Sequence, residues 1–175
     1  MNQNKKSPAF VKTSAGKQKG FTLIEILIVI GIIAVLATIV IVAINPARQF
    51  AQARNTQRVS NVNTLLNAIG QKIADCKGKF NASATECPTS PVCPTLTAAT
   101  NYNITSTAGA TNIDLSCLTP TYIPSSLPYD PNATGAQWTS ASNYDTKYQV
   151  MVDTTGRFTV TATNAELSQT ISVTR

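Results

Sequence analysis

From Ile26 to Ile44 there are nineteen successive residues without a charge, with only Gly31 and Thr38 interrupting the apolar side chains. Counted from Phe21 the stretch is 24 residues, about 36 Å as a helix against a hydrocarbon core of ~30 Å. It is long enough to cross a bilayer, and its all-round apolar surface needs lipid or other helices around it. One acid, Glu25, stands at its start. An ionisable group in a spanning helix is costly, so Glu25 is either tolerated at the interface, near the helix N-terminus, or kept for a purpose.

Charge is distributed unevenly about this segment. Residues 1–20 carry Lys5, Lys6, Lys12, Lys17 and Lys19 with no acid, while the remaining 155 residues hold nine Lys and Arg against eight Asp and Glu, a net of +1. The basic leader places the N-terminus in the cytoplasm and everything after Ile44 outside. The same distribution argues against nucleic-acid binding, which needs clustered cations on a folded face. Arg48, Arg54 and Arg58 are the body's only such cluster, and they read as a solvated helix face.

Histidine is absent, which removes the commonest general base and the usual triad and zinc arrangements. No paired-carboxylate signature stands in its place, so the chain reads as a non-enzyme with no implied cofactor. Cys76, Cys87, Cys93 and Cys117 contain no C-x-x-C pair. Outside the cytoplasm, four cysteines read as two disulfides with three possible connectivities. Sequential pairing, Cys76 with Cys87 and Cys93 with Cys117, closes the shortest loops.

A removable secretory signal has an apolar region of only about 7–15 residues followed closely by a small-x-small site. The run here is too long, and Ala51-Gln-Ala53 lies well beyond it. A plain signal anchor explains length and orientation but has no use for Glu25.

Lys19-Gly20-Phe21-Thr22-Leu23-Ile24-Glu25, with a basic leader before it and a long apolar helix after it, resembles the processing site of type IV prepilins and type II secretion pseudopilins. The resemblance implies cleavage after Gly20 by a membrane-embedded prepilin peptidase and N-methylation of the new N-terminal Phe21. It also implies a role for Glu25 as the acid at the fifth mature position. Cleavage creates a cationic α-amine at Phe21, and Glu25 of one subunit can pair with the Phe21 amine of the next, setting register in a filament core. Two features depart from the family pattern: the twenty-residue leader is long, and Val42 stands where many members have a helix-kinking proline, the first proline beyond the run being Pro46.

After Pro46 the pattern becomes amphipathic. Val59, Val62, Leu65, Leu66, Ile69 and Ile73 recur at three- and four-residue steps, with Arg54, Arg58, Asn61 and Gln71 elsewhere on the helix. Near the C-terminus, Tyr148, Val150 and Val152, then Phe158, Val160 and Ala162, then Ile171 and Val173 alternate as strands. The expected fold is therefore α+β: a long N-terminal α-helix, half transmembrane and half amphipathic, packed on a small C-terminal antiparallel sheet, which is the pilin fold. Its organisation would be a removed leader at 1–20, an assembly helix at 21–45 and an amphipathic helix at 46–75. A disulfide-restrained Ser/Thr/Pro-rich loop region at 76–143 and a β-meander at 144–175 would follow. A bend is expected near Pro46. Tyr122 and Tyr129, in the proline-rich crossing before Gly135, could pack on the sheet edge.

Some pseudopilins bind calcium in a loop near the sheet, and Asp130, Asn132 and Asp145 could supply oxygen ligands. They lack EF-hand spacing, and they read as turn formers ahead of metal ligands. Asn81, Asn103 and Asn132 begin N-x-[ST] triplets, which arise by chance in a chain this rich in Asn and Thr.

The function this implies is a structural subunit, held in the cytoplasmic membrane as a single-pass precursor. Its partners would be other copies of itself, the prepilin peptidase and the inner-membrane assembly machinery, and its mature form would lie in an extracellular or periplasmic filament. A major pseudopilin of a type II secretion system is the near alternative. A signal-anchored extracellular binding module is the rival from another class.

Overall fold

A computed structural model describes residues 20–87, 91–107 and 109–175. The chain divides into two units, one ending at Ile44 and the other running Asn45–Arg175.

The first unit contains helix α1, Leu23–Ile44. Its composition of Ile, Leu, Val and Ala carries no proline and no charge after Glu25. Every one of its residues is exposed, so the helix is held by its own backbone hydrogen bonds and offers its whole apolar circumference to the surroundings.

The second unit begins with Asn45, whose φ of 47° lies in the left-handed region. Pro46 follows, and α2 runs Pro46–Asp75. The single helix with a bend near Pro46 is thus resolved into two helices separated at Asn45. The physical reason is local: a proline disfavours helical geometry in the residue before it, and Asn is among the residues that tolerate left-handed φ. Asn45 turns the break into a start, its Oδ1 accepting from the Arg48 amide at 3.3 Å with Pro46 in the first helical turn.

One mixed sheet packs on α2. Its strands are β1 (Tyr102–Thr105), β2 (Asn112–Ile113), β3 (Gln137–Ser140), β4 (Asn143–Val152), β5 (Phe158–Ala162) and β6 (Ile171–Thr174). The order is β2-β1-β4-β5-β6, with β3 also paired to β4. Strand β4 is the spine: β1 lies antiparallel along one edge, and its other edge carries β3 at its start and β5 from Tyr148 onward. The changeover falls at Lys147, which adopts φ 59°. Opposite it the β1 register skips, Asn103 facing Gln149 and Thr105 facing Asp145, as a bulge requires.

Strands β4, β5 and β6 form the antiparallel meander of the C-terminal stretch. The rest differs from expectation. Residues 76–143, read as loop, supply β1, β2, β3 and a 3-10 turn at Ser116–Leu118, and β2 runs parallel to β1. The sheet is therefore mixed rather than purely antiparallel. These strands are two to four residues long, and their existence rests on pairing within the sheet more than on local pattern.

The core lies between α2 and the sheet. Val62, Leu65, Leu66 and Ile69 of α2 meet Ile104, Tyr148, Val150, Val160 and Ala162, with Leu115, Leu118 and Leu127 closing one side. Tyr122 packs against this core, but Tyr129 stays 43 % exposed. Val59, expected on the stripe, faces outward, while Arg58 takes the buried position beside it. The buried face of α2 follows alternating steps of four and three through Ala51, Asn55, Arg58, Val62, Leu65, Ile69 and Lys72, the geometry of one helix face. Its apolar middle is flanked by polar residues toward both ends.

Candidate functional site

Gly20 and Phe21 precede the helix, and Phe21 is 79 % exposed. A Cβ built at Gly20 meets no atom of the described residues within 4 Å. Thr22 caps α1. Its Oγ1 accepts from the Glu25 amide at 3.3 Å, and Glu25 Oε2 accepts from the Thr22 amide at 3.4 Å. This reciprocal pair is a capping box. Sequence reasoning gave Glu25 a partner in another subunit and missed this one, although Thr22-x-x-Glu25 is itself the signal for it. From Leu23 the exposed apolar surface is continuous. It far exceeds the few hundred Å² that water-exposed patches normally reach. The helix is long and apolar enough to cross a membrane.

A second constellation ties α2 to two loops. Arg58 Nε and Nη2 donate to the Asp130 carboxylate at 2.8 and 3.0 Å, and its Nη1 donates to Glu166 Oε2 at 2.9 Å. Arg54 grips the same Glu166 through Nε and Nη2 at 2.7 and 2.6 Å. Asn55 completes the clamp by accepting from the Glu166 amide and donating to the Glu166 carbonyl and to Gln169 Oε1. One turn further on, Asn61 Nδ2 donates to the Tyr129 carbonyl and to the Tyr148 hydroxyl.

Arg58 and Asp130 are both buried, which corrects the solvated-face reading of Arg58. Of the three arginines, Arg48 alone stands exposed, and Arg54 is half-buried. The electrostatics follow from the contacts. Hydrogen bonds from Arg54, then Arg58, pull the Glu166 carboxyl down to about 2. Burial opposes ionisation of Asp130, but bonds from Arg58 and from the Asn132 and Ala133 amides hold it below its ordinary value. The Asp130 hydrogen bond leads the effects that raise Arg58. The cluster is fully charged and internally satisfied, the condition under which buried ions are tolerated.

Asp130 is thereby a turn former as well as an ion partner: its Oδ1 accepts from the Asn132 and Ala133 amides at 2.9 and 2.8 Å. Asp145 sits on β4 and is taken by Lys147, whose Nζ lies 2.6 Å from Oδ2. Asp130 is thus held by Arg58 and two backbone amides, and Asp145 by Lys147. Among the described residues no group of three or more His, Cys, Asp or Glu could hold a metal.

Cys76 is bonded to Cys87 and Cys93 to Cys117, and all four are buried. The first bond closes the turn after α2, and the second ties the strap after residue 90 to the 3-10 turn. Of the three triplet asparagines, Asn103 lies in β1 with its side chain bonded to Asn112 and Gln149. Asn81 donates to Thr95 Oγ1.

A basic leader, an exposed Gly20-Phe21 junction and a capped apolar helix long enough to cross a membrane follow one another at the N-terminal end of the chain. The family model described as the prokaryotic N-terminal methylation motif matches residues 16–41. The chain carries that motif over 26 of its 175 residues. Comparison with curated proteins and with solved structures gives no match.

Proposed function

We propose that the chain is a structural subunit of a type IV pilus-like filament. Prepilin peptidase cuts after Gly20, Phe21 becomes the N-methylated terminus, and α1 then packs among the α1 helices of neighbouring copies. The Gly20-Phe21 junction within the matched motif carries this reading. Gly20 is compatible with it: no atom of the described residues lies near its missing Cβ, which leaves the backbone open to approach from outside. A peptidase active site would make such an approach.

In the precursor, Glu25 is held by the Thr22 cap. In the filament it gains the Phe21 amine of the neighbouring subunit, so a charge that is costly in lipid becomes a register device. N-terminal mass spectrometry of the assembled protein tests the reading. A chain beginning at N-methyl-Phe21 is expected. An intact leader beginning at Met1 would sink the pilin reading in favour of a tethered binding module.

A further inference from the structure

Leu167 presents an apolar side chain, 44 % exposed, on backbone of φ 58°, and Ser168 follows at φ 56°. Bulky side chains resist this left-handed region, and such conformations persist where their surroundings impose them. Here the clamp imposes it, because Arg54, Asn55 and Arg58 hold Glu166 on one side and Asn55 holds Gln169 on the other. Glycine or asparagine at 167 would complete the same turn with less strain. What leucine adds is an apolar group held out from the surface.

Leu167 and Ser168 line a cleft of ≈ 560 Å³ together with Asn45, Ala47 and Arg48. The 22 residues of α1 extend about 33 Å, matching a ~30 Å hydrocarbon core. Ile44 therefore ends at the outer edge of the core. Asn45 and Arg48, which line the cleft, follow Ile44 within four residues of chain.

The chemistry there suits that position. Arg48 is exposed, and its guanidinium makes no ion pair among the described residues. The nearby acid, Glu166, is consumed by Arg54 and Arg58. Of the first amides of α2, those of Arg48 and Gln49 already donate to Asn45. A guanidinium beside an outward-pointing apolar side chain is the composition of an interfacial seat.

We propose that Leu167, Ser168 and Arg48 form a seat on the outer-leaflet phospholipid surface, Leu167 entering the acyl boundary and the Arg48 guanidinium lying against lipid phosphates. The seat rests on the reading of α1 as a membrane span. It holds the Asn45–Arg175 unit against the bilayer before assembly and is given up when the subunit leaves the membrane.

The test uses the full chain in nanodiscs of phosphatidylethanolamine and phosphatidylglycerol, one copy per disc. A nitroxide is placed at Leu167→Cys or, as a control, at Thr155→Cys in the β4–β5 turn. Dissolved oxygen should outcompete an aqueous nickel reagent at 167, with an accessibility ratio several-fold above that at 155. Nickel prevailing at 167 would overturn the seat. Amide exchange across 163–170 gives a readout without a new thiol. Protection should be greater in discs than in detergent, and Leu167→Asn, which suits the turn, should abolish the difference. Equal exchange of the parent chain in discs and detergent overturns the proposal. So does protection that appears only with two copies per disc, which assigns the surface to a neighbouring subunit. Alkaline carbonate extraction is run beside these, because a chain it releases shows failure of the span reading itself rather than of the seat alone.

Discussion

The Arg58 guanidinium, 1 % exposed, holds both oxygens of the Asp130 carboxylate, itself 2 % exposed, across 72 residues of sequence. This contact fixes the proline-rich crossing against α2, and through Glu166 it fixes the β5–β6 loop as well. Removing one partner strands the other as a buried charge, at a cost of about 3–5 kcal/mol. Arg58→Met alone and Asp130→Leu alone should each destabilise the full chain in detergent by that order. The double variant should recover much of the loss, because a buried pair replaced by apolar groups is often close to neutral. Thermal or denaturant unfolding of the four forms measures the coupling. Additive losses in the double variant would show that the two residues act separately.

The clamp also sets an acid limit. Glu166 titrates at about 2 against an ordinary value of 4.5, and Asp130 is also lowered. Carboxyls depressed in the folded state bind more protons when unfolded, so their contribution is present above about pH 4.5 and is lost as pH falls toward about 2. The melting temperature should be flat from pH 7 to pH 5 and decline below that. Glu166→Gln should flatten part of the acid decline while lowering stability at neutral pH. An unchanged acid slope in Glu166→Gln would rule out this assignment.

Arg58 and Lys72 show what the sequence pattern conceals. Apolar periodicity found Val62, Leu65, Leu66 and Ile69, because burial there follows from hydrophobicity alone. It placed Arg58 outside because that residue's partners lie 72 and 108 positions away, where no local rule reaches. Lys72 Nζ likewise donates to the Pro91 carbonyl. The alternating four-and-three spacing through Asn55, Arg58 and Val62 was legible in principle, and reading position ahead of polarity would have found it. Strands β1 and β3 were hidden for another reason. Tyr102–Thr105 and Gln137–Ser140 are short and rich in polar residues, and pairing with β4 between them makes them strands. The junction at Gly20 and the apolar helix, by contrast, are local features and could be read directly.

Tyr144 anchors the 3-10 turn. Its hydroxyl donates to Asp114 Oδ1 at 2.7 Å and accepts from the Leu115 amide at 2.8 Å. Burial is the first cause raising the pKa of its hydroxyl, and Asp114 adds to it, so the phenol stays protonated. Tyr144→Phe leaves the buried Leu115 amide and Asp114 without this partner, a loss of about 1–3 kcal/mol. Denaturant unfolding should show that loss with no change in slope.

The two disulfides should differ in weight. Chain-entropy arguments give about 3.4 kcal/mol for the loop closed by Cys93 and Cys117 and about 2.8 kcal/mol for Cys76 and Cys87, whose separations are 24 and 11 residues. Cys93→Ser/Cys117→Ser should therefore destabilise at least as much as Cys76→Ser/Cys87→Ser. It should also raise amide exchange in β1 and the 3-10 turn, which the longer loop encloses. The reverse order would show that native-state packing, not loop length, decides.

The cap that Glu25 completes and the register role proposed for it can be separated because they depend on different properties of one side chain. The capping box needs an acceptor at the third helical position, which glutamine supplies as well as glutamate. The pairing with a neighbour's Phe21 amine needs the negative charge. Glu25→Gln therefore keeps the cap and deletes the charge, whereas Thr22→Ala weakens the cap by about 0.5–2 kcal/mol and keeps the charge. If charge pairing drives assembly, Glu25→Gln and Glu25→Ala should both be cleaved normally after Gly20 yet enter filaments poorly, while Thr22→Ala should assemble. If Glu25 serves only to start α1, the ranking inverts: Glu25→Gln assembles like the parent chain, and Glu25→Ala falls with Thr22→Ala. Sheared-filament yield, normalised to processed subunit in the membrane, reads the difference. Normal filaments from Glu25→Gln would remove the register role from this acid.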